Sequence, residues 1–212
     1  MSTSITLYTA AENDAQDHGS SISNALPLTV GSISGGFSST SYNVAYRHKP
    51  NISQSGERVV VDNFTTTVTA SSSNGGGAFN GVVGIHDGDC PDLSTNNIAK
   101  NYSDIGNSVS VSFPSSKSAG DTLTPSSLKD AAQAWFDRSG YAQDDYIGIW
   151  WDESDAAKGE YWDLRDGDYE PQTDRPRIDL EYHKASKAKW NKTTNINLKI
   201  NGVPSDNLGE VL

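Results

Sequence analysis

Cysteine is nearly absent: Cys90 is the single one in 212 residues, so no disulfide can close within the chain. Long apolar runs are missing too, and no segment approaches the about 20 residues of a membrane span. The opening Met1-Ser2-Thr3-Ser4-Ile5-Thr6 has neither a basic residue nor an apolar run. No secretory signal is therefore expected, and the protein is expected to be made and assembled in a cytoplasm. Positive charge is scarce, with 16 Lys and Arg against 27 Asp and Glu and a net charge of −11. So acidic a chain repels nucleic acid and anionic membranes. Histidines stand at 18, 48, 86 and 183, without metal-ligand spacing, and Cys90 lacks a Cys-x-x-Cys partner, which argues against zinc. Gly-x-Ser-x-Gly elbows and phosphate-binding loops are absent. A Cys90–His86 nucleophile pair has no third group to orient it.

What the chain does have is alternation. Ile5 to Tyr8 reads as a first strand, and Ala10 to Ala25 as a polar loop. Leu26 to Val30 reads as a short strand ended by Gly31, with Gly35-Gly36 as a turn. Tyr42, Val44 and Tyr46 share one strand face. Arg58 to Ala70 is rich in β-branched residues, which favours a strand. Its length calls for a bulge or a break near Asp62-Asn63. Phe79 to His86 and Ser108 to Phe113 follow as strands, separated by a long loop from Asp87 to Ser103.

One helix is expected. Thr124 can cap it, Pro125 suits its first position and Gly140 its end. Leu128, Ala131, Ala132, Trp135 and Phe136 lie on one face. Tyr146 to Trp151 is then a buried strand, and Glu160 to Arg165 another. In Arg175 to Tyr182, Ile178, Leu180 and Tyr182 face one way. Eight to ten strands at this spacing predict an all-β fold. The expected architecture is a jelly-roll-like antiparallel β-sandwich with one short α-helix, followed by a C-terminal extension.

The pattern breaks after Tyr182. Residues 1–182 carry 11 Lys and Arg against 25 Asp and Glu, whereas residues 183–212 carry 5 against 2. A body of residues 1–182 is expected, then a linker and docking extension over residues 183–212. In the extension Ile196, Leu198 and Ile200 alternate with Asn and Lys up to Val203. Such a strand cannot bury its apolar face alone and is expected to dock on another subunit.

Residues from about Ile5 to Tyr182 resemble the DNRLRE-type, carbohydrate-binding-module-like β-sandwiches of bacterial surface proteins and phage structural proteins. The resemblance rests on Leu28-Thr29-Val30-Gly31, Tyr46-Arg47, Arg58-Val59-Val60-Val61, and Phe64-Thr65-Thr66-Thr67-Val68-Thr69. Its most specific piece is the closing Arg175-Pro176-Arg177-Ile178-Asp179-Leu180-Glu181-Tyr182. Separately, Ile196-Asn197-Leu198-Lys199-Ile200-Asn201-Gly202-Val203-Pro204 resembles segments near the ends of tailed-phage structural proteins. Together these resemblances imply a virion component.

Three site readings follow. Trp150 and Trp151 are adjacent in a strand, so one must leave the core. It could line a glycan site, a subunit interface or the underside of the helix. Trp162 could pair across from the next strand, and interface or core is expected ahead of sugar. Aspartates near a glycine offer oxygens for calcium at Asp87, Asp89 and Asp92, or at Asp163, Asp166 and Asp168. Asp152, Glu153, Asp163 and Glu170 could supply a glycosidase pair. The expectation is a non-enzymatic structural protein of a tailed-phage virion, an exterior decoration, a fibre, or a tail or neck component. It would be a homo-oligomer that meets other virion proteins. The alternatives are a carbohydrate-binding module for host-surface glycan, and a glycosidase or esterase on the same fold.

Overall fold

The alternating and β-branched segments form strands, and their apolar faces meet in one interior. The computed structural model describes residues 1–10, 13–17, 22–23, 28–35, 38–73, 76–93, 105–157 and 159–186. Its strands are β1 (Thr3–Tyr8), β2 (Asp14–Asp17), β3 (Ile22–Ser23), β4 (Leu28–Gly35), β5 (Ser38–His48), β6 (Glu57–Thr69), β7 (Phe79–His86), β8 (Ile105–Phe113), β9 (Thr122–Leu123), β10 (Ile147–Glu153), β11 (Tyr161–Leu164) and β12 (Arg177–Ser186). The helix α1 spans Lys129–Asp137.

One sheet has the order β1-β12-β6-β9, and the other runs β11-β4-β5-β10-β7-β8. All these pairings are antiparallel. Setting aside the inserted β2, β3, β4 and β11, eight strands remain. Counted along the chain, they lie in the order first-eighth-third-sixth and second-seventh-fourth-fifth. That is a jelly roll, two Greek keys folded face to face. Val59, Val61, Phe64, Val68, Ile178 and Leu180 of the first sheet meet Val44, Tyr46, Val83, Ile85, Ile149 and Trp151 of the second, all buried.

The bulge falls where the length of β6 requires it. Glu181 pairs with Asn63 and Tyr182 with Val61, so Asp62 is the extra residue. There its carboxylate accepts hydrogen bonds from the Ser2 hydroxyl and the His183 ring.

Four expectations are corrected. The helix begins at Lys129, not at Thr124. The Thr124 hydroxyl instead bonds that of Thr67, while the Leu128 amide donates to the Phe64 carbonyl. Contacts with β6 thus hold Thr124 and Leu128 ahead of the helix. Gly31 does not end a strand, since β4 runs through it at φ +118°. The stretch expected as a loop from Ala10 to Ala25 contains β2, which pairs Asp14–Asp17 with Asn43–Tyr46 of β5. The last strand does not stop at Tyr182: His183–Ser186 continue the ladder against Val60–Glu57. The body therefore reaches Ser186, because β6 still offers paired backbone there.

Candidate functional site

The three tryptophans read as core, interface or glycan-binding residues are interior. Alternation along β10 sends Trp151 between the sheets, where its ring meets Phe113 edge-on at 6.2 Å. Trp162 meets the same ring at 5.6 Å, and its indole N–H donates to the Pro114 carbonyl. Trp150 does leave that core, through the outer face of the sheet, yet it is only 1% exposed. A second cluster of Ala15, Ala45, Cys90 and Leu93 covers it, with Tyr146 alongside. The cover lies close because Gly148 has no side chain: a Cβ there would stand 2.6 Å from the Cys90 sulfur. Burial pushes the Cys90 thiol up to about 12, which removes it as a nucleophile near neutral pH. Of the readings for Trp150, Trp151 and Trp162, the structure places all three rings in the interior and none on a glycan or interface surface of the described body; β2 and residues 87–93 close the face that sequence alone leaves open.

The two acidic runs do not form cages either. In the first, the Asp89 carboxylate accepts from the Tyr146 amide at 2.7 Å, and Asp92 pairs with Arg47 at 3.5 Å. Asp87 is exposed. In the second, Asp163 accepts from the Thr29 and Ser72 hydroxyls, while Asp166 accepts from the Asp168 amide within its own turn. Among the described residues, no three His, Cys, Asp or Glu side chains converge to hold a metal ion. The structure does not bring Asp87, Asp89 and Asp92, or Asp163, Asp166 and Asp168, together around one point, against the calcium expectation. Closeness in sequence did not become convergence, because each carboxylate anchors a different neighbour.

A different acidic site is present instead. Asp14 of β2 lies opposite Tyr46 of β5 and accepts a hydrogen bond from the Gly167 amide. Asp14 and Asp166 are each 2% exposed. Burial lifts the Asp14 carboxyl to about 7; the Gly167 hydrogen bond opposes this, and the charges of Asp166 and Asp168 add to it. Burial also raises Asp166. The Tyr46 phenol is raised well above its usual range by burial, then by Asp14 and Asp166. Arg165 does not neutralise the cluster: its guanidinium pairs with Asp174 and lies 4.1 Å from the Tyr169 ring centre. This arrangement favours the protonated form of Asp14 relative to a solvated aspartate. Sequence reading missed Asp14, because Asp14-Ala15-Gln16-Asp17 carries no alternating apolar signal.

The site makes stability depend on pH in a definite sense. The folded value of Asp14 is raised from 3.8 to about 7, so its contribution is present below about pH 4 and lost as pH rises through 7. Burial depresses His48 from 6.5 to about 3. Its contribution is present above pH 6.5 and lost as pH falls through about 3. The two slopes oppose each other between them. Asp14→Asn keeps a carbonyl for the Gly167 amide and removes one slope. The variant is expected to melt above wild type at pH 8, with the gap closing toward pH 4. Melting curves from pH 4 to 8 measure this; a pH-independent gap contradicts it.

The docking residues Ile196, Leu198, Ile200 and Val203 lie outside the described residues. No helix among the described residues is long and apolar enough to cross a membrane. Fold and site define an all-β jelly-roll protein with a closed aromatic core and a buried carboxyl cluster. No protein-family model matches the chain, and no curated protein matches it.

Proposed function

We propose that this chain is a non-enzymatic structural protein of a tailed-phage virion, a jelly-roll body that joins sister subunits or other virion proteins through its C-terminal segment. One observation carries the reading. β12, held between β1 and β6, leads straight out of an acidic body into a basic, alternating segment. Residues 1–186 carry 12 Lys and Arg against 25 Asp and Glu; residues 187–212 carry 4 against 2. Such bodies repel one another, and a segment of opposite charge lowers that repulsion. The resemblances at Arg175 to Tyr182 and Ile196 to Pro204 support the virion setting. The glycan-binding alternative loses the aromatic platform on which it rested, since its three tryptophans are interior.

The test is a chain ending at Ser186. Circular dichroism of residues 1–186 is expected to show an intact β fold, because the last described strand is complete. Light scattering is expected to give a monomer where the full chain gives an oligomer, and the shortened chain is expected to be missing from assembled particles. Normal oligomers and normal incorporation would overturn the reading.

A further inference from the structure

The sheet edges differ in how they are protected. β9 covers only Val68 and Thr69 of β6. Beyond it, α1 takes over: the Gln133 side chain accepts from the Val61 amide at 2.8 Å and donates to the Val59 carbonyl at 3.0 Å. The edge strand β8 has α1 beside it, with Ser108 and Val109 sharing a groove with Leu128 and Ala131. The Lys117 ammonium donates to the Tyr161 carbonyl on β11, a strand of four residues. β1 is different. Among the described residues it is the outermost strand of its sheet, six residues long, in unbroken register with β12. It contains no charge and no proline, and no bulge interrupts it. Proteins ordinarily guard such an edge, because its free amides and carbonyls template another strand.

We propose that β1 is the acceptor for the C-terminal segment of a second copy of this chain, residues 195–203 adding antiparallel along its open edge. The proposal rests on the structural, tail-docking reading above. The faces match. Ile5 and Leu7 are half-buried and pack on the core, while Ser4 and Thr6 are exposed. A strand added beside them sets Ile196, Leu198 and Ile200 next to Ile5 and Leu7, and Asn197, Lys199 and Asn201 next to Ser4 and Thr6. The charges match as well. The Thr6 hydroxyl donates to Asp179, and Asp179 and Glu181 share a shallow cleft with Ser4 and Thr6. Asp179 also pairs with Arg177 at 3.3 Å, so Lys199 would lie chiefly beside Glu181.

Topology favours a second copy over the same chain. Thr3 pairs with Tyr182, so Ser186 lies past the N-terminal end of β1. A segment returning directly from there along the outer edge runs parallel to β1. Every pairing described in this molecule is antiparallel, and parallel pairing is slightly weaker per residue. An antiparallel return would stretch residues 187–194 nearly fully along β1 before the strand could begin. A second copy delivers the segment from the other direction without that cost. Direct pairing of β1 with β1 would bring two acidic bodies edge to edge, which their charge opposes. The tail-to-edge contact is heterologous, so it builds rings or filaments rather than closed pairs.

Disulfide scanning of the full chain tests this. Ser4→Cys is combined in turn with Asn197→Cys, Lys199→Cys or Asn201→Cys; the native Cys90 is 2% exposed and stays silent. On mild oxidation, at least one pair is expected to move most of the chain from monomer into covalent dimers and larger species. Mixing the two single variants of that pair is expected to give the heterodimer. Four outcomes overturn the proposal: no cross-link in any pair, a covalently closed monomer, dimers of Ser4→Cys alone, or cross-linking of the tail cysteines to Ser110→Cys on β8 instead. If the chain ending at Ser186 is still monomeric in that case, the docking reading stands and only the acceptor is wrong. If it oligomerises like the full chain, the docking reading itself has failed.

Discussion

Replacing Trp135 by alanine is expected to cost about 3–5 kcal/mol, the usual loss for a buried aromatic truncated in a core. The ring is 2% exposed and stands edge-on to Phe136 at 5.0 Å and to Tyr141 at 5.3 Å. The Arg138 guanidinium lies 4.1 Å from its centre. Its indole N–H donates to the Gly88 carbonyl at 2.7 Å, so the truncation also releases the segment that covers Trp150. Total stability of such a domain is on the order of 5–15 kcal/mol, which makes this loss a large fraction of it. Thermal melting reads the loss, and a red shift of the remaining tryptophan emission reports exposure of Trp150. A melting temperature within a degree or two of wild type would mean that the helix end does not hold the second cluster in place.

Gly31→Val is expected to be about as damaging, for a backbone reason. Gly31 sits at φ +118°, and a Cβ there would lie 2.4 Å from the Glu160 carbonyl oxygen and 2.7 Å from the Tyr161 Cα. Strained backbone costs about 1–3 kcal/mol, and forced overpacking typically adds about 1–3 kcal/mol. Both clashing atoms are main chain, so the side chain cannot turn away. β11 must then part from β4, although its Trp162 and Leu164 are core residues. Faster hydrogen exchange is expected at Ser32 and Gly159, whose amides bridge these two segments. Unchanged melting and unchanged exchange would contradict this.

The jelly roll was legible in the sequence wherever a strand has one wet and one dry face. Ile178 and Leu180, Val44 and Tyr46, and the outward turn of one of Trp150 and Trp151 all follow from a period of two. Even the bulge at Asp62 could be anticipated, because thirteen residues of β6 exceed a regular strand. The errors have a common cause in contacts that local pattern does not encode. Thr124 and Pro125 carry the chemistry of a helix start, yet the Thr124 hydroxyl bonds Thr67 of β6 and the helix starts only at Lys129. Trp150 had to leave the core, but nothing periodic marks Ala15, Cys90 and Leu93 as its cover. Asp14 meets Gly167 from 153 positions away, and the aspartates grouped around Gly88 and Gly167 anchor separate neighbours. The candidate site was therefore less legible than the fold: Asp14 and the 166–168 turn come near each other only once β2, β5, β4 and β11 have paired within one sheet.

Mass spectrometry of particles purified from cultures that express this chain from its native genome tests the proposed virion role most directly. If the chain is a structural virion protein, its peptides are present in washed particles at a fixed copy number per capsid. Its absence from washed particles, or a trace amount that varies from one preparation to the next, would contradict that claim.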